Sequence, residues 1–377
     1  VDQQLNDRVH ALLDELTGSG AEVGLQAAAY LNGEQIVDAW SGIADEETGA
    51  AVAGDSMFTS WSTTKGFTAT CAHILIDRGD LDLDAPMTRY WPEFGAHGKD
   101  KVTVRDALTH RAGVPNLPAG TTLANLVNWD HMAAALAAEP PQIKPHDETA
   151  YHAFTFGWVV GELVARASGM SIAEFVQSEL CAPLGITDFY LGIPDAEVMR
   201  VGRLRHAPSD APSIFESNPN DIFIVPTGLD FDIAINSLLF RKGSVPGAGG
   251  IMSARAIARH YAMYVGGGEL DGVRVMSEEV ARRAGTFDHR EFDLKFDSAP
   301  RRALGYFMGG DPAEGGGMAM GGENAFGHPG YGGSLGFADP DLGLSFGLTK
   351  NLLITGGEDP LENTAYRVAQ LIRDGLS

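Results

Sequence analysis

Asn32-Gly33, set between the apolar runs 25–31 and 35–40, restricts the fold of this chain more than any other short feature. A two-residue turn of this composition accepts positive φ at both positions. That backbone matches the twist of two antiparallel strands and fixes a β-hairpin. Ahead of it, Leu5, Val9, Leu12, Leu13 and Leu16 recur at three- and four-residue steps, which predicts an amphipathic helix stopped at Gly18-Ser19-Gly20. Further strand-like pieces, 304–308, 335–338 and 342–349, come only near the other end, before a closing amphipathic helix over 362–372. Residues 42–55 read as a polar loop. The middle reads as helices over 104–108, 123–138, 154–167 and 172–180, punctuated by Pro140-Pro141 and Gly169. Residues 186–245 are irregular, and Ser253 caps a helix over 254–265. The Gly- and Met-rich stretch 309–322 is expected to be a mobile loop.

The hairpin leads into Ser62-Thr63-Thr64-Lys65, which opens another helical pattern through Phe67, Cys71 and Leu75 to Gly79. On a helix, positions i and i+3 share a face, so the Lys65 ammonium can fold back onto the Ser62 hydroxyl. A serine at a helix start also sits among outward-pointing backbone N–H groups, which suits an oxyanion. The bland alternative is a capping serine with a surface lysine one turn on.

Other chemistries fit less well. With 50 acidic and 27 basic residues the net charge is −23, which argues against nucleic acid or an anionic membrane as partner. Asp80-Leu81-Asp82-Leu83-Asp84 starts like a calcium loop, but Ala85 and Trp91 stand where Gly and Glu are needed. The eleven histidines show no metal spacing, so neither metal nor other cofactor is expected. Cys71 and Cys181 are read as small core residues. No apolar run approaches the roughly 18 residues of a membrane span. Residues 1–5 do not resemble a signal sequence, so the expectation is a cytoplasmic protein, with an earlier processed segment left open. Gly247-Ala248-Gly249-Gly250 lacks a preceding strand and a sixth-position Gly, against a dinucleotide site.

A second serine motif, Gly332-Gly333-Ser334-Leu335-Gly336, matches Gly-x-Ser-x-Gly. That nucleophile elbow requires a buried strand before it and a helix after it. Here the preceding 326–331 is turn-rich and the following residues read as a strand, so Ser334 is set aside.

Ser62 has further support. Tyr151-His152-Ala153 lies downstream, and His328-Pro329-Gly330 near the end. With Ser62-x-x-Lys65, these three blocks resemble the serine β-lactamase and penicillin-binding-protein superfamily, most closely the class C β-lactamase-like carboxylesterases of family VIII. The resemblance runs nearly end to end and takes in 102–110 with Gly113, Ala182-Pro183-Leu184-Gly185 and Gly249-Gly250. It implies an α+β fold: an antiparallel β-sheet flanked by helices, with an inserted mainly helical domain. The implied units are 1–85 with 240–377, and 86–239, with the active site between them.

The same resemblance implies Ser62, Lys65 and Tyr151 as catalytic residues and the backbone N–H groups of Ser62 and Tyr331 as oxyanion hole. It places His328, Gly330 and His152 at the substrate. Many relatives carry Asn where this chain has Ala153, and β-lactamases carry Lys at the position of His328. Both departures point away from penicillins. The expected function is hydrolysis of small to medium carboxylic esters through a Ser62 acyl-enzyme. The alternative is a transacylase, which passes the acyl group to an alcohol or amine acceptor. Weaker rivals are a β-lactamase, a D-amino-acid peptidase and a non-catalytic binding relative.

Overall fold

The computed structural model describes residues 2–208, 234–355 and 362–376. Part of the irregular stretch 186–245, residues 209–233, lies outside them. Helix α1 (Gln3–Ser19) is capped by the Asp2 side chain at its start and by Gly20 at φ 80° at its end. The hairpin follows as β1 (Gly24–Leu31) and β2 (Glu34–Asp45), with Asn32 at φ 50° and Gly33 at φ 85°. β2 runs on into the stretch read as a polar loop and pairs there with β3 (Ala50–Ala51). Helices α2 (Thr64–Arg78), α3 (Phe156–Ser168) and α4 (Ala254–Val265) come next in the chain. Strands β4 (Arg302–Ala303), β5 (Tyr306–Met308), β6 (Phe326–Pro329), β7 (Leu335–Asp339) and β8 (Leu344–Lys350) lead to helix α5 (Thr364–Asp374).

These strands form one eight-stranded sheet in the order β4-β5-β6-β7-β8-β1-β2-β3, antiparallel throughout. The join between chain ends is β1 against β8, in register from Leu25 opposite Lys350 to Leu31 opposite Leu344. Side chains of β1 alternate between faces. Leu25, Ala27 and Ala29 pack with Val9, Leu13, Phe346, Val368 and Ile372, under α1 and α5. Ala28 and Tyr30 join the larger core with Phe67, Ile257 and Tyr261, on the α2 and α4 side. Gly336 permits the close approach of α4: a Cβ there would lie 2.3 Å from Ile257 Cγ2.

Several boundaries differ from the expectation. The pattern over 123–138 is two helices, Leu123–Leu126 and Trp129–Ala138, because Asn128 turns out of helical geometry and caps the second. The segment after Ile172–Phe175 widens into a π-helix over Val176–Cys181. The turn-rich 326–331 contains the four-residue strand β6, with Pro329, which has no N–H to give, at its end. Cys71 and Cys181 are unpaired and buried. Among the described residues no helix is long and apolar enough to cross a membrane.

Candidate active site

Ser62 stands in a single 3₁₀ turn, Trp61–Thr63, that feeds directly into α2. Trp61 holds φ 48°, a left-handed backbone costly for an aromatic residue. The surroundings hold the turn in this form. The Thr64 hydroxyl donates to Trp61 O and accepts from Gly250 N–H at 2.9 Å, while Ser60 N–H donates to Gly250 O at 2.9 Å. Trp61 and Thr63 are buried, whereas Ser62 is partly open and lines a cavity of about 600 Å³.

Lys65, one turn along α2, is fully buried. Its Nζ lies 3.0 Å from Ser62 Oγ, 2.6 Å from Ala153 O and 2.6 Å from Gly247 O. No carboxylate pairs with it among the described residues, and burial pushes its pKa well below the usual lysine value. The three partners suit both protonation states. An ammonium donates to all three; a neutral amine donates to the two carbonyls and keeps its lone pair for the Ser62 hydroxyl. A group placed this way can take a proton from Ser62 and return it without reorganising.

Tyr151 lies in the loop just before α3 and packs over the same lysine, with Nζ 4.9 Å from its ring centroid. Its hydroxyl hydrogen-bonds to Ser62. Burial raises its pKa above the ordinary phenol value; the hydrogen bond to Ser62 and the charge of Arg302 only partly oppose that. The ring is boxed by His110, Phe296, Phe307 and His328 at centroid distances of 4.8, 5.0, 5.8 and 6.0 Å.

The other side of the serine is formed by the turn after β6. Pro329, Gly330 and Tyr331 line the cavity, and the Tyr331 ring meets Trp61 edge-on at 5.2 Å. Ser334 anchors this turn: its hydroxyl donates to Ser60 O at 2.8 Å and lies 3.1 Å from Thr63 Oγ1. The serine of the Gly-x-Ser-x-Gly run is therefore a buried clamp on the Ser62 turn. Gly330 makes the approach possible, because a Cβ there would lie 2.1 Å from Ser334 Oγ and 2.4 Å from Ser60 O.

Two expected substrate-binding residues are placed differently. His152 is buried away from the cavity lining; its Nδ1 bonds Ala150 O at 2.7 Å and its Nε2 accepts from Val114 N–H at 3.3 Å. Both nitrogens are thus engaged by backbone groups. His328 is also buried and outside the lining, packed beneath Tyr151 and Phe307. Burial, with Lys65 and Arg302 nearby, pushes its pKa well down, and its Nδ1 faces Pro329 O at 2.7 Å. It brings no fixed positive charge to the site.

Other site residues gave no sequence signal of their own. The carbonyls of Ala153 and Gly247 hold Lys65, and Phe154, Phe296, Phe307, Met308 and Met320 make the cavity walls predominantly apolar. Asp293 accepts the Tyr151 N–H at 3.2 Å and is paired with Arg302, both buried. The Gly247–Gly250 run supplied a local hint, since Gly249-Gly250 belongs to the family resemblance. The Asp293–Arg302 pair supplied none.

The family model described as "Beta-lactamase" matches residues 9–371. The chain belongs to the beta-lactamase family. It is a serine hydrolase of the β-lactamase and esterase group. It is 34% identical over 362 residues to "Esterase/beta-lactamase LipL" of Mycobacterium tuberculosis, covering 87% of this chain and 77% of that protein. It is 30% identical over 199 residues to "Esterase EstB" of Burkholderia gladioli, covering 48% of this chain and 50% of that one. Among solved structures, a family VIII carboxylesterase superposes with a TM-score of 0.85 at 30% identity, covering 97% of both chains. A penicillin-binding-protein homologue from Caulobacter crescentus gives the same TM-score and identity over 98% of this chain and 97% of that one.

Proposed function

We propose that this beta-lactamase-family protein is a carboxylesterase that cleaves small to medium esters through an acyl-enzyme on Ser62. The observation that carries the reading is Lys65: buried, without a carboxylate partner among the described residues, held by two carbonyls and aimed at the serine. A serine hydroxyl needs a base, and a desolvated lysine is a strong candidate for that task at neutral pH. In this account Ser62 Oγ attacks the ester carbonyl as its proton passes to Lys65. The N–H groups of Ser62 and Tyr331 receive the oxyanion. The leaving alkoxide takes a proton from the Lys65–Tyr151 pair, which titrates as one unit. Water then gives a proton to that pair as its oxygen bonds to the acyl carbon; the bond from that carbon to Ser62 Oγ breaks, the pair returns the proton to Oγ, and the acid leaves.

The largely apolar cavity and the buried His328 support a neutral ester over a lactam with its obligatory carboxylate. The name of EstB, an esterase, favours the same side, whereas that of LipL, "Esterase/beta-lactamase", spans both. The experiment is a panel of aryl esters of increasing acyl length beside a cephalosporin, with products analysed in the presence and absence of an added alcohol. Free acid as the main product supports the esterase. Predominant transfer to the alcohol would make the protein a transacylase, and preferential cephalosporin opening would make it a lactamase.

A further inference from the structure

Asp293 is a fully buried carboxylate outside every motif of the family resemblance. Its Oδ1 accepts three backbone N–H groups: Tyr151 at 3.2 Å, Lys295 at 2.8 Å and Phe296 at 3.2 Å. Its Oδ2 is bonded by Arg302, itself 2% exposed. One carboxylate thus joins two strands of the site that are far apart in sequence. The first is the backbone of Tyr151. The second is the segment whose Phe296 packs on the Tyr151 ring at 5.0 Å and lines the cavity.

Beyond that carboxylate, the segment is tied to its surroundings by Glu291, which accepts from Thr149 Oγ1 at 2.9 Å and pairs with Arg111 at 3.4 Å. Phe292, Leu294 and Phe296 are 54%, 38% and 43% exposed, so burial of their side chains does not fix their backbone. Asp293 N–H to Ser298 O at 2.7 Å closes the segment on itself, and Leu294 N–H to Thr149 O at 3.0 Å sets it beside the stretch that carries Tyr151. The carboxylate of Asp293 completes the join. Arg302 is anchored at the edge strand β4, with its guanidinium 5.3 Å from the Phe307 ring, another face of the box around Tyr151. A buried ion pair of this kind contributes little net stability, since desolvation offsets much of its attraction. Its value is geometric, because it fixes where three N–H groups converge.

We propose that Asp293, held by Arg302, is a positioning residue that sets Tyr151 against Ser62 and the aromatic wall Phe296 against Tyr151. It touches neither substrate nor reacting atoms and acts only through the tyrosine and the wall. This rests on the proposed esterase chemistry, in which Tyr151 takes part.

The test is a mutant cycle. Asp293→Asn and Arg302→Gln are each made in the parent enzyme and in Tyr151→Phe, and kcat and KM are measured for a short-chain aryl ester, with folding checked by thermal melting. A positioning role predicts a fall in kcat of about tenfold or more in the parent with KM changed far less. In Tyr151→Phe the same changes should cost under about threefold, because the hydroxyl they position is gone. A general structural defect would cost the same factor in both backgrounds, and that result overturns the inference. If Asp293→Asn does not fold, Arg302→Gln carries the cycle, with Arg302→Lys expected to recover most of the lost kcat. Fluorophosphonate labelling of the parent separates the two levels. Label on Ser62 with equal losses in both backgrounds sinks the positioning role alone; no label on Ser62 sinks the esterase reading with it.

Discussion

Lys65 Nζ lies 3.0 Å from Ser62 Oγ, and its other two bonds end on carbonyl oxygens of residues 153 and 247. The lysine of this family member is therefore held by backbone. Side-chain changes at Ala153 leave that grip intact, which explains how the position can dispense with the Asn carried by many relatives. Lys65→Ala and Tyr151→Phe should each lower kcat/KM for an aryl ester by about 10²–10⁴. The double variant should lose much less than the product of the two, because both groups act on one hydroxyl. Steady-state kinetics on the three variants checks this, and cleanly multiplicative losses would show two independent functions.

The pH dependence follows from the direction of the Lys65 shift. Only the amine with a free lone pair can accept the Ser62 proton. Burial lowers the pKa, so the active form should already dominate well below the ordinary lysine value of about 10.4. The kcat/KM profile should rise with pH and level off well below the ordinary lysine range. A profile still climbing toward pH 10 would place Lys65 in its charged form at neutral pH and remove it as base. Lys65→Arg, charged at every accessible pH, should be inactive throughout.

Ser334→Ala should leave most of the ester turnover while lowering stability. The change removes the hydroxyl bond to Ser60 O and the contact with Thr63. Ser60 O keeps the Thr63 N–H at 3.2 Å, so the loss is that of one buried hydrogen bond, about 0.5–1.5 kcal/mol. Thermal melting and ester kinetics on the same preparation test both halves. Loss of activity with an unchanged melting temperature would return Ser334 to candidacy as nucleophile.

Acid should unfold the protein early. Burial holds His73 and His152 at about 4 and His260 at about 3. The unfolded chain takes up these protons from about pH 6.5 downward, whereas the folded chain resists until the lower values. The stability these neutral histidines contribute is complete above about pH 6.5 and drains away as pH falls toward 4, at up to about 3 kcal/mol for each. Denaturant titrations between pH 7 and 4 should show a steep decline. A flat profile across that window would mean the histidines titrate normally in the fold.

Esters should be favoured over cephalosporins by a wide margin, because the side chain at the third motif is a buried, neutral His328. Losing one partner of an ionic contact to a substrate costs about 2–5 kcal/mol, or roughly 30- to 5,000-fold. Comparable kcat/KM values for an aryl ester and a cephalosporin would show that another group reads the carboxylate. Lys295, which lines the cavity, would be the first to replace.

Where local chemistry dictates local structure, the sequence was readable. Asn32-Gly33 made its hairpin, Gly79 ended α2, and Ser253 started α4. The Ser62–Lys65 contact was legible because it spans one helical turn. Strand β6 was hidden because its pairing with β5 and β7 outweighs the turn preference of its Gly and Pro. His152 looked like a site residue from its neighbour Tyr151, but its two ring nitrogens are bonded to backbone at Ala150 and Val114. Asp293 was invisible for a different reason: what it does depends on Tyr151 and Arg302, which no spacing in the chain connects.

The most direct test of the central claim is intact-protein mass after exposure to a fluorophosphonate, followed by identification of the modified peptide. The account predicts a single adduct on Ser62, formed far more slowly in Lys65→Ala. An adduct on Ser334, or none on Ser62 in a preparation that still hydrolyses esters, would contradict it.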